Sequence, residues 1–189
     1  SRVHSTDLDD TGVYAITRAP WDLEEGEQMW ENYGQPNHIY FMYHGFSMSP
    51  NAYDCVQLLI DFRESDESHL KFMNEKGYPS TYSACIAPSS LPLAKVGKWG
   101  ITDNGIAYVK AVLQVDEQEA VQYIVETAKA ALLSREEQSS EEWDEEQLQQ
   151  LAEEAATSST DASLLSDKLA SVIRFRVSEK RLLREFISQ

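Results

Sequence analysis

The chain has little with which to cross-link itself: two cysteines, Cys55 and Cys85, in 189 residues. Two thiols cannot build a disulfide framework or a thiolate zinc cluster, and none of the four histidines stands at ligand spacing beside them. A reducing compartment and no structural metal are therefore expected. Long apolar runs are also missing, since none approaches the ~18 residues a membrane helix needs, and a helical spanning protein is excluded. Basic residues are scarce: 16 Lys and Arg against 32 Asp and Glu give a formal charge of -16. A sequence-independent grip on nucleic acid needs clustered positive charge and is not expected; a basic protein partner is. No Gly-x-Ser-x-Gly occurs, and Gly97-Lys98-Trp99-Gly100 lacks phosphate-loop spacing. What is present is a length and an apolar content of 42% that suffice to bury a core without staples. Ser1-Arg2-Val3-His4 has no initiator Met, apolar leader or transit-peptide character, and reads as a start within a longer chain.

Local patterns divide the chain into a short β-rich front and a helical remainder. Residues 13–19 are β-branched and aromatic up to Pro20, which predicts a strand, and Gln28–Asn32 reads as a second extended piece across a Glu24–Glu27 turn. Pro36 followed by Ile39, Tyr40 and Tyr43 at helical offsets predicts a helix over Asn37–His44, with Gly45 as its C-terminal cap. Cys55–Phe62 reads as a strand, Asp66–Lys76 as a helix ended by Gly77 and Pro79, and Thr81–Ile86 as at most one short strand. Beyond Asp103 the period is helical, with Asp116 capping one segment and Ser139-Ser140 another.

Charge segregates along the helical part. Residues 135–154 hold nine acidic side chains and a single Arg. The last helix, expected from Asp161 to about Ile187, carries Lys168, Arg174, Arg176, Lys180, Arg181 and Arg184, so the two helices are natural antiparallel partners. The acidic run could alternatively recruit a basic substrate or remain a solvated face. The apolar stripe of the last helix is read as Leu165, Leu169, Val172, Leu183 and Ile187. Arg176 and Glu179 fall near the middle of that face at 100° per residue; they either pair with each other or mark a bend near Ser178.

Two stretches carry a family resemblance. Leu23-Glu24-Glu25-Gly26-Glu27-Gln28-Met29-Trp30-Glu31-Asn32-Tyr33-Gly34, then Asn37 and Gly45-Phe46, resemble the end of the SET domain of protein methyltransferases. The closer likeness is to the class of the Rubisco large-subunit lysine methyltransferase and the actin-histidine methyltransferase. Ala170–Leu183 resembles a helix near the end of that class's substrate-binding domain. The resemblance implies an α+β chain: a C-terminal piece of a SET domain at residues 1–48, then a mainly α-helical substrate-binding domain at 49–189. It implies methyl transfer from S-adenosylmethionine to a protein side chain, lysine first and histidine as the alternative, in the cytoplasm, the nucleus or a reducing organelle. The family's Gly-x-Gly and Asn-His cofactor motifs have no counterpart here, so the cofactor site is expected to be incomplete in this chain. A non-catalytic helical interaction module is the rival reading.

By that resemblance Tyr33 is the catalytic candidate. A lysine ammonium, with pKa of about 10.4, must lose its proton before attacking a sulfonium methyl, and a fixed phenol can orient the nitrogen as charge changes. From the residues alone Tyr33 reads as a core tyrosine with a satisfied hydroxyl, and the resemblance reverses that reading. Phe46 is implied to lie against the cofactor's adenine, or else to make an apolar contact after a helix cap. Asn37 is implied to serve the cofactor site, or else to act at a helix start. His38, His44 and His69 read as ordinary histidines, and no metal is expected.

Overall fold

Val56, Leu58 and Ile60 alternate with Gln57, Leu59 and Asp61, the period of a strand with one face in a core. In the computed structural model they do this: Val56, Leu58 and Ile60 are buried and the intervening residues exposed. The structure describes residues 5–8, 10–18, 22, 24–27, 33–91, 94–157 and 160–189, with backbone only at 5–8, 15–18, 157 and 160–165. The described elements are β1 (Ser5–Leu8), β2 (Ala15–Arg18), α1 (Asn37–His44), β3 (Val56–Asp61), α2 (Glu67–Lys76), β4 (Thr81–Ile86), α3 (Asp103–Leu113), α4 (Glu117–Gln138), α5 (Glu141–Thr157) and α6 (Thr160–Ile187). The class is α+β and mostly helical. No helix among the described residues is long and apolar enough to cross a membrane.

The chain forms two compact units, Ser1–Gln35 and Pro36–Gln189. In the first, β1 pairs antiparallel with β2, Ser5 opposite Arg18 and Leu8 opposite Ala15. The strand expected at residues 13–19 is present as β2, and among the described residues it pairs with the preceding segment. The extended piece expected at Gln28–Asn32 lies outside the described residues. The turn at Glu24–Glu27 closes through Glu27 N to Glu24 O at 3.0 Å, with Gly26 at φ 87°, a conformation glycine adopts without a Cβ penalty.

The second unit is built on the antiparallel pair β3–β4, Val56 opposite Ile86 and Asp61 opposite Thr81. One face of that pair is covered by α3, through Ile106, Val109 and Val112, and the core continues into Ala120, Ile124 and Ala128 of α4 and Leu183 and Phe186 of α6. Gly105 lets α3 approach β4: a Cβ built there would lie 2.7 Å from the Ala84 Cβ. The cap expected at Asp116 is present, and Asp66 supplies one at the start of α2. Asp66 accepts from His69 N at 2.9 Å, and Asp116 and Glu119 close a reciprocal capping box at the start of α4. The boundary expected between residues 48 and 49 falls inside this unit, where Asn37 and Asp54 bond across it.

The last helix faces inward only partly as expected. Of the stripe expected, Leu183 is buried and Ile187 is half-buried against the core, but Leu169 and Val172 are exposed at 49% and 37%, and Ala170, Ile173, Val177 and Phe186 are buried instead. Which side of α6 faces in is decided by the elements packed against it. Nor do Arg176 and Glu179 pair with each other. Arg176 reaches Asp144 of α5 while Glu179 accepts from Arg135 of α4 at 3.3 Å, and helix runs unbroken past Ser178.

Candidate functional site

Asn37 begins α1 and is 1% exposed. Its Nδ2 donates to Asp54 Oδ2 at 2.6 Å and to the Met48 carbonyl at 3.0 Å, while its Oδ1 accepts from Met48 N at 2.8 Å and from Asn51 Nδ2 at 3.3 Å. Two donors and two acceptor positions are thereby all engaged within the chain. The side chain is a clasp between the start of α1 and residues 48–54. It does not cap the helix: Pro36 occupies the N-cap position, and no side chain bonds there.

Asp54 is the other half of the clasp. It accepts from Asn37 N at 2.8 Å, Cys55 N at 3.0 Å and Ser178 Oγ at 3.0 Å, which ties the loop to α6. Burial pushes its carboxyl above the usual range, and the four donated hydrogen bonds oppose that rise without cancelling it. Ser47 to Asn51, Asp54 and Ser178, together with Arg174, Arg181, Glu145 and Glu185, line a cleft of about 450 Å³ between the loop after α1 and the α5–α6 pair. Arg181 is already paired with Glu141 at 2.6 Å and Glu145 at 2.5 Å, and Glu185 accepts from Ser90 Oγ at 2.8 Å. Arg174 makes no ion pair among the described residues. Ser178 does face a carboxylate, but three N–H bonds already hold that carboxylate, so the arrangement suits recognition of a polar side chain more than acid-base chemistry.

Phe46 follows Gly45, which ends α1 in the left-handed conformation at φ 73°. Its ring stacks on Tyr40 at 5.2 Å and 25° and meets the His44 ring at 5.9 Å and 37°, with 41% of the residue exposed. Tyr33 lies in the first unit and is 54% exposed, which is not the burial of a core tyrosine. Asn37 and Phe46 are thus gathered around α1, and Tyr33 belongs to the other unit.

The acidic helix and the basic helix meet as their charges require. Lys180, 1% exposed, donates to Asp144 Oδ2 at 2.7 Å, Ser139 Oγ at 2.9 Å and the Ser139 carbonyl at 2.5 Å, so its three donors are all used. Arg176 also bonds Asp144 and lies 5.6 Å over the Trp143 ring. Burial would raise the Asp144 carboxyl, but hydrogen bonds from Lys180 and Arg176 outweigh it and hold the group below the usual carboxylate range. Arg184 adds Glu136 at 2.6 Å and Glu141. Much of the acidic run is therefore neutralised internally. Lys180 and Asp54 escape a sequence reading that looks for apolar stripes, although Lys180 stands four residues after Arg176 on the same side of its helix.

Cys55, just before β3, and Cys85 of β4 are bonded to each other with Cα atoms 5.7 Å apart. The expectation of a reducing compartment, drawn from cysteine scarcity, loses the support of free thiols. His38 of α1, expected to stand apart from any cysteine, lies beside the pair: its Nδ1 is 3.4 Å from the Cys55 carbonyl.

Against protein-family models and curated proteins, the chain has no match.

Proposed function

We propose that the chain is the C-terminal part of a SET-class protein methyltransferase. In this reading it completes a site that transfers a methyl group from S-adenosylmethionine to a lysine side chain of a basic protein, and its helical unit docks that protein. The observation that carries the reading is the turn after α1. Gly45 in the left-handed conformation ends the helix, Phe46 follows it 41% exposed with its ring against Tyr40 and His44, and Asn37 at the start of the same helix is clasped to Asp54 and Met48. Those are the residues in which the sequence resembles the end of a SET domain, and a partly exposed aromatic ring suits contact with a planar purine. Tyr33, 54% exposed in the first unit, rests on the resemblance alone. The 450 Å³ cleft at Asp54 and Ser178 is the recognition surface in this account.

The test is methyl transfer by the full-length protein to lysine-rich protein substrates, with mass spectrometry to distinguish methyl-lysine from methyl-histidine. Tyr33→Phe is expected to lower transfer at least tenfold, about 1.4 kcal/mol of transition-state stabilisation, at unchanged melting temperature. Transfer to histidine alone would reassign the substrate. No transfer at all, with a basic protein still bound, would make the helical unit a docking module without catalysis.

A further inference from the structure

We propose that His38, Cys55 and Cys85 form a redox-gated site for a thiolate-preferring divalent metal ion such as zinc. The three side chains come from three places in the second unit: His38 from α1, Cys55 from the residue before β3 and Cys85 from β4. One ring nitrogen of His38 and the two sulfur atoms all lie within 4.8 Å of one another. That set, two sulfurs and an imidazole, is one that zinc uses, and three protein ligands leave a fourth tetrahedral position for water or another ligand.

The backbone suits both states. A Cα separation of 5.7 Å lies within the range of a disulfide. With metal–sulfur bonds of about 2.3 Å at a tetrahedral angle, two thiolates on one ion stand roughly 3.8 Å apart, which rotation of one cysteine side chain about its Cα–Cβ bond supplies without strand movement. The surroundings are those of a built site. Cys55 packs with Ala87 and Ala94 in a small apolar cluster that also takes in Cys85, and the Cys55 carbonyl lies beside His38 Nδ1, where it orients the ring.

The two states exclude each other. A dithiol cleaves the Cys55–Cys85 bond by exchange and leaves as its own disulfide, delivering two electrons and two protons to the two sulfurs. Binding of the divalent ion then releases those two protons, giving two thiolates and a neutral imidazole as ligands. In the absence of metal, exchange with a small-molecule disulfide, which takes up the two electrons and two protons and leaves as two thiols, restores the Cys55–Cys85 bond. The site is independent of the methyl-transfer reading, because it uses none of Tyr33, Asn37 and Phe46.

The experiment uses the whole chain and cobalt(II) as the probe. After reduction and removal of reductant, with two free thiols confirmed by titration, one equivalent of cobalt is expected to give a thiolate-to-cobalt charge-transfer band and the visible bands of tetrahedral cobalt, both displaced by zinc. The oxidised chain is expected to give neither. His38→Ala is expected to weaken cobalt binding at least tenfold, and Cys85→Ser to remove most of the charge-transfer intensity. Because Cys85→Ser alters a half-buried group packed against the cluster, thermal melts accompany each variant, and His38→Ala serves as the variant least exposed to misfolding. A reduced chain with no charge-transfer band overturns the proposal. So does a disulfide that no dithiol opens, or His38→Ala with unchanged spectrum and affinity.

Discussion

Lys180 Nζ and Asp144 Oδ2 lie 2.7 Å apart with side chains 1% and 0% exposed, so one fully enclosed ion pair joins α6 to the first turn of α5. Enclosure makes the pair sensitive to loss of either partner, because a buried charge left alone keeps its desolvation cost. Asp144→Ala strands Lys180 and also removes the anchor of Arg176, and is expected to cost about 3–5 kcal/mol in urea unfolding. Lys180→Met leaves Asp144 with Arg176 and is expected to cost less. The double variant Asp144→Leu with Lys180→Met is expected to recover most of the loss. A cost below about 1 kcal/mol for Asp144→Ala would mean the pair is not enclosed in solution.

Two buried carboxylates give opposite pH dependences. Asp144 is held below its ordinary value, so its contribution is present above the unfolded carboxylate range, around pH 4, and is lost as pH falls through the folded value. Asp54 is raised, so the native state holds its proton longer than the unfolded chain does. Its contribution is greatest below the ordinary value and declines as pH rises through the folded one. Asp54→Asn removes the second slope and keeps the first. Urea unfolding from about pH 3 to 7 is the measurement, and a variant curve parallel to the wild-type curve throughout would remove Asp54 from this account.

Gly105→Ala sets helix propensity against packing. In an exposed helix the change gains about 1 kcal/mol. Here the new methyl meets the Ala84 Cβ at 2.7 Å and Thr102 Oγ1 at 3.1 Å, so a net loss of about 1–3 kcal/mol is expected. Adding Ala84→Gly should restore much of it. A Gly105→Ala protein more stable than wild type would show that α3 moves freely from β4.

The acidic helix is divided between internal pairing and an open surface. Glu141 and Glu145 bond Arg181, and Glu141 also bonds Arg184. Glu141→Gln with Glu145→Gln should lower stability by about 1 kcal/mol and leave association with a basic peptide unchanged. Glu142→Gln with Glu146→Gln should leave the melting temperature unchanged and, where a basic protein docks on this face, slow its association at low salt. Stopped-flow association and melts on the two variants separate the roles. Equal on-rates in both would remove the acidic face from recognition.

Local order was legible from the residues because it depends on neighbours in the chain. Gly45 ends α1, Asp66 caps α2, Asp116 caps α4 and period-two burial marks β3, each an outcome of backbone geometry or hydrogen bonding within a few residues. The opposite charges of α5 and α6 likewise announced their pairing. Partner choice was not legible. Arg176 and Glu179, three residues apart, reach two different helices, and the inward side of α6 is set by what packs against it. Asn37 and Asp54, separated by 17 residues, become one clasp only when α1 folds back over the loop, and Ser178 joins from 124 residues away. His38 meets Cys55 and Cys85 in the same way, at no spacing a motif would reveal. Periodicity and capping act over one or two turns of chain, whereas a buried polar group takes whichever partner the packed elements bring within 3 Å, and that distance is decided only in the tertiary structure.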